Sequence, residues 1–78
     1  MLKEELDFFI SNQNDLVSRY ANKVLVIKDK TVVGVYDTHI EAYIKAQEKY
    51  QLGTFLIQPC QPGPEAYSIT ISSHNATF

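Results

Sequence analysis

The sequence has no tryptophan, one cysteine, three glycines and three prolines, and its seven Lys and Arg are outnumbered by nine Asp and Glu. One cysteine cannot form an intrachain disulfide, so no oxidised framework holds the fold. The formal charge of −2 argues against a phosphate-binding surface, which needs clustered cations, and no nucleic-acid partner is expected. Lys23, Lys28 and Lys30 lie close together, but Asp29 stands among them, and they read as strand-end and turn charges. Long apolar runs are missing as well. Val24–Ile27 spans four residues, against the roughly 20 that cross a bilayer. Lys3, Glu4, Glu5 and Asp7 interrupt the start, where a secretory signal would carry its apolar core. The expectation is a soluble, cytoplasmic chain with no membrane partner.

Glycine and proline are too few for extended disorder, and 45% apolar with 21% charged residues is ordinary for a globular domain. At 78 residues the chain reads as a single domain over 1–78, close to the size at which a core needs help from a partner or a staple. Five Tyr and four Phe supply the bulk of that core.

The stretch 38–58 carries the clearest local signals. Thr38 and Glu41 form a Thr-x-x-Glu capping box, in which the Thr hydroxyl accepts from the Glu41 N–H and the carboxylate reaches back. At roughly 100° per residue, Ile40, Tyr43, Ile44, Ala46 and Tyr50 share one arc with Gln47 and Gln51, and Glu41, Lys45, Glu48 and Lys49 share the opposite one. This predicts an amphipathic helix over 39–51 with its isoleucines buried. Gly53 follows where a left-handed C′ residue is wanted. Phe55-Leu56-Ile57 is too short for a helix and reads as a central strand, ending at Pro59.

Upstream, Leu2, Leu6, Phe9, Ile10, Leu16, Val17 and Tyr20 recur at helical spacings. Ser11-Asn12-Gln13-Asn14 interrupts them, so the N-terminal helix is expected to break near 11–14, with Asn12 capping a second short helix. Phe8 and Phe9 cannot both face one core, which makes them candidate interface residues. Asn22 suits the left-handed exit from that helix. Val24–Ile27 and Val32–Tyr36 read as a β-hairpin, with Gly34 weakening the second strand or letting a ring or backbone approach closely. Ala66–Ser72 alternates, with Tyr67, Ile69 and Ile71 on one side, and reads as a half-exposed edge strand. Residues 73–78 read as a loose tail.

The expected fold class is therefore α+β: an N-terminal helix, then β-β-α-β-β. The sheet is mainly antiparallel in order 2-1-3-4, with order 1-2-3-4 as the alternative. One helix covers one face, and the N-terminal helix or a partner subunit must cover the other.

The residues Tyr20-Ala21-Asn22-Lys23-Val24, Asp37-Thr38-x-x-Glu41-Ala42 and Phe55-Leu56-Ile57 together resemble a family of short bacterial proteins of unknown function, cyanobacterial among others. Members read Tyr-x-Gly-Lys-x-Val, a hairpin, Asp-Thr-x-x-Glu-Ala and Phe-Leu-Ile. The resemblance covers about residues 20–58, and Asn22 stands where the pattern has Gly. It implies no catalytic residues. Relatives encoded beside retropepsin-like aspartic proteases would imply an accessory role with such an enzyme.

Three constellations bear on chemistry. Cys60 would be a nucleophile only if His39 or His74 lowered its pKa, and no oxyanion loop accompanies it. Asp37, His39 and Glu41 are three metal-ligand types, yet at a helix start capping explains them better. Tyr36, Tyr43 and Tyr50 would line a small-ligand pocket or, more commonly, the rim of a core. No cofactor is expected, because no phosphate loop or paired carboxylates can be read. These residues favour a non-catalytic, homodimeric module that binds a partner protein through its edge strands or N-terminal helix. The structural residues are Asn22, Gly34, Thr38, Glu41 and Gly53, and the candidate interface is Phe8, Phe9, Tyr67, Ile69 and Ile71. A small-ligand regulatory module and a Cys60 enzyme are the other two classes.

Overall fold

Strand β1 (Lys23–Lys28) is the middle of the sheet. Val24 and Val26 pack into one core cluster, and Leu25 and Ile27 into another. A strand with no polar alternation is covered on both faces in this way. The computed structural model describes residues 2–72; the expected tail at 73–78, with His74, lies outside the described residues.

The order of elements is α1 (Lys3–Ser11), α2 (Gln13–Tyr20), β1, β2 (Thr31–Tyr36), α3 (His39–Lys49), β3 (Leu56–Cys60) and α4 (Glu65–Ser72). β2 and β3 both pair antiparallel with β1, giving a three-stranded sheet in the order β2-β1-β3. The chain is α+β. The expected fourth strand over 66–72 is instead helix α4, so order 2-1-3-4 is not the sheet found, and neither is 1-2-3-4.

Non-local contacts override the alternating pattern there. The Gln13 side-chain amide donates to the Gln61 and Gly63 carbonyls, each at 2.8 Å, and pins the loop after β3 against α2. Gly63, at φ +82°, and Pro64 then turn the chain into the helix, where Glu65 suits the first turn. Buried Gln58 donates from β3 to the Ala66 carbonyl. Tyr67 is half-buried against the chain's own core, and Ile69 and Ile71 lie on α4 rather than on an edge strand.

The N-terminal helix breaks at Asn12, but not by the expected cap. The Asn12 amide turns back and donates to the Phe8 carbonyl at 2.8 Å, closing α1; no side chain caps α2. Phe9 is fully buried with Leu6 and Leu16 against Leu25, Ile27 and Leu56, while Phe8 is half-buried beside them. α1, α2 and α4 therefore cover the second sheet face, and a partner subunit is not needed there.

Asn22 takes φ +63°, as a left-handed helix exit requires. The β1–β2 hairpin closes through Asp29 (φ +54°) and Lys30 (φ +59°). Two positive-φ residues mark a primed turn, in which the second position ordinarily favours glycine. Val33 is left unpaired between the Val26–Gly34 and Ile27–Val32 pairs, a bulge on the sheet edge. Gly34 lets the Tyr36 ring lie over it, because an added Cβ would come within 2.6 Å of that ring.

α3 starts on its capping box: the Glu41 N–H donates to the Thr38 hydroxyl at 3.1 Å. The Glu41 carboxylate accepts from the Asp37 N–H at 3.2 Å, one residue earlier than a standard box. The helix ends at Lys49, not 51, and its C-cap is Tyr50. Gly53 is not the C′ residue. It sits at φ +89° as the third residue of a turn from Gln51 to Thr54, where type II geometry calls for positive φ.

The largest departure is the rotation of α3. Its buried stripe is Ala42 and Ala46, set against Val24, Val26, Phe55 and Ile57. Ile40 and Ile44, expected in the core, are exposed. Alanine lets the helix backbone approach the sheet closely. Tyr43 and Tyr50 then fill the margins of that contact.

Candidate interaction surfaces

Cys60 closes β3 with its side chain fully buried among Leu6, Phe9 and Ala66. Burial pushes its thiol up from the ordinary 9.0, away from the thiolate that attacks or ligates. His39 opens α3 against the other sheet face, so the structure does not bring it to Cys60. The folded thiol keeps its proton to higher pH than the unfolded one. Its contribution is therefore complete below about pH 9 and is lost as pH rises toward the folded value. Between pH 8 and pH 10, wild type is expected to lose up to about 1 kcal/mol more stability than Cys60→Ala; paired urea melts at the two pH values check this. Equal losses would show that the thiol is not held protonated by burial.

Asp37, His39 and Glu41 do not converge. Asp37 pairs with Lys23, and Glu41 is turned toward the Asp37 N–H. Among the described residues, no group of three His, Cys, Asp or Glu side chains is placed to hold a metal ion. The three tyrosines lie along the margin of the α3–sheet contact. Tyr50 meets Phe55 with ring centroids 6.4 Å apart, and the Lys28 ammonium stands 5.8 Å over its ring.

Concave surfaces among the described residues include two that bear on binding. One, of about 400 Å³, lies between α1–α2 and the hairpin turn. Phe8, Leu16, Tyr20 and Val32 line it together with Arg19, Asp15 and Lys30. Arg19 is paired with Asp15 at 3.3 Å. The other lies on the outer side of α3 and is lined by His39, Ile40, Tyr43 and Ile44. Ile40 is 70% exposed and Ile44 44%. They stand one turn apart on the same side of the helix, with Tyr43 beside them. Scattered exposed aliphatics are normal; a run at i, i+3 and i+4 is a stripe.

No family model matches this chain, and neither does any curated protein or solved structure. Among the described residues no helix is long and apolar enough to cross a membrane.

Of the expected interface residues, Phe9 has no surface to offer and Tyr67 serves the core, whereas Phe8 borders the hairpin groove. β2 remains an edge strand, bulged at Val33. The sequence reading did not place Arg19, Lys30, Ile40 and Ile44 on a binding surface. For the isoleucines the signal was present, since Ala42 and Ala46 also recur at helical spacing and offer a competing buried face.

Proposed function

We propose that this chain is a small, non-catalytic protein-interaction module that self-associates, with the outer side of α3 as its contact face. The observation that carries the reading is the pair Ile40 and Ile44, exposed one turn apart beside half-buried Tyr43 although the helix is otherwise well seated. Apolar side chains clustered on one exposed face mark interaction sites. The burial of Cys60 supports a non-catalytic role, because the thiol faces core side chains rather than a cleft. The proposal replaces the N-terminal helix and the 66–72 segment, both of which pack on the sheet. β2, an edge strand among the described residues, offers a second surface to a partner strand.

Light scattering across a dilution series tests it. Wild type is expected to approach twice 8.9 kDa at high concentration and to dissociate on dilution. Ile40→Glu is expected to stay monomeric with an unchanged far-UV spectrum, since Ile40 supports no core contact. A wild type that remains monomeric up to millimolar concentration would overturn the proposal.

A further inference from the structure

We infer that the groove between α1–α2 and the hairpin turn is a binding site for a small organic monocarboxylate. The ligand's aromatic or branched aliphatic body lies on the apolar floor, and its carboxylate sits between Arg19 and Lys30. The groove is across the sheet from the α3 face and does not depend on self-association there.

The floor is the margin of the core cluster under α1 and α2. Leu16 is buried, and Phe8, Tyr20 and Val32 are half-buried against that cluster while lining the groove. The volume of about 400 Å³ lies at the small end of the roughly 300–1,000 Å³ of ligand sites. It suits one ring or branched chain with its head group. The walls above that floor are charged. Arg19 stands on α2 and Lys30 in the turn opposite, and Asp15 is the one carboxylate among the lining residues. Two cations against one carboxylate leave a single positive charge, on a chain whose net charge is −2. That balance matches a monoanion, whereas a phosphate dianion would be only half compensated.

Both cations keep donors for such a ligand. Arg19 meets Asp15 through Nε at 3.3 Å, which leaves its two terminal nitrogens. Asp29, the acidic neighbour of Lys30, is turned to Lys28 at 3.2 Å. Among the described residues, the Lys30 ammonium has neither an ion pair nor a hydrogen bond. Its backbone is also unfavourable. At φ +59° Lys30 takes the second position of a primed turn, where glycine is favoured because a Cβ is crowded. A strained residue whose side chain satisfies nothing within the chain, yet borders a groove, fits the pattern of a ligand clamp.

Amide NMR of the full chain tests the site, with 3-phenylpropanoate and neutral 3-phenylpropanamide titrated at constant salt. The acid is expected to give saturable shifts at residues 16–20 and 30–32, with a Kd of about 1 mM. The amide is expected to bind at least about tenfold more weakly, because it forms no charge-assisted hydrogen bonds. Two substitutions move the affinity in opposite directions. Lys30→Gly is expected to weaken binding of the acid about tenfold while raising the thermal midpoint, since glycine relieves the positive-φ turn. A lysine that served only the turn would change the midpoint and leave the Kd alone. Asp15→Asn is expected to tighten binding about threefold by removing the competing carboxylate. Equal affinity for acid and amide, a Kd unchanged in Lys30→Gly, or no saturable shift at these residues up to about 20 mM would each overturn the site. None of these results would touch self-association through α3.

Discussion

Replacing Phe9 by alanine is expected to remove about 3–5 kcal/mol of stability, the usual cost of deleting a fully buried phenyl ring and leaving its cavity. Phe9 has 0% exposure and lies where α1 and α2 close over Leu25, Ile27 and Leu56. A chain of this length has a net stability on the order of 4–12 kcal/mol, so the variant is expected to lose a large fraction of it and to unfold at a markedly lower urea concentration. Phe8→Ala, one residue away and half-buried, is expected to cost less than half as much. Urea unfolding followed by circular dichroism, at concentrations where the chain is monomeric, separates the two. A Phe9→Ala variant within 1 kcal/mol of wild type would mean that α1 does not cover the second sheet face in solution. That face would again call for a partner.

The elements that were legible in the sequence owe their form to neighbours in the chain. Val24–Ile27 has no polar residue to turn outward, so a doubly covered strand was the one economical reading. Thr38 and Glu41 meet through local hydrogen bonds at 3.1 and 3.2 Å involving residues 37–41. Asn22 carries its tolerance of positive φ with it. Helix α4 was illegible for the opposite reason. Tyr67, Ile69 and Ile71 alternate over too short a window to distinguish strand from helix. The deciding contacts come from Gln13, about fifty residues upstream, and from Gln58 on β3. Both glutamines looked like ordinary polar positions. Neither carries a local signal of what it will bind.

The candidate site was legible only in its parts. Ile40, Tyr43 and Ile44 were found on one face of one helix, and the structure keeps them together. What failed was the assumption that the most hydrophobic arc is the buried one. Hydrophobicity ranks isoleucine far above alanine, yet a helix lying across a twisted sheet also gains from close backbone approach, which only small side chains permit. Ala42 and Ala46 supply that approach, and the two larger residues turn outward. The same geometry leaves Ile40 and Ile44 exposed on the outer side of α3, which is the face the proposed function uses.

Ala42→Leu is the second substitution expected to have a large effect, and it acts on that point. Ala42 is 0% exposed, with Val24, Val26, Phe55 and Ile57 in the same cluster. Added methylenes in a full site typically cost 1–3 kcal/mol through off-rotamer side chains and backbone shifts, so a loss of about 2–3 kcal/mol is expected. Leucine and alanine are both strong helix formers; α3 should therefore keep its helical content while its seat on the sheet loosens. That separates the two readings of the helix. If Ile40 and Ile44 faced the core and Ala42 lay at the edge, leucine would cost almost nothing, and Ile40→Glu would be the damaging change. If the alanine face is buried, the order reverses: Ala42→Leu lowers the urea midpoint, and Ile40→Glu leaves it within about 0.5 kcal/mol of wild type. Measuring both variants as monomers fixes the rotation of α3 without reference to any partner, and with it whether the isoleucine stripe is free to bind one.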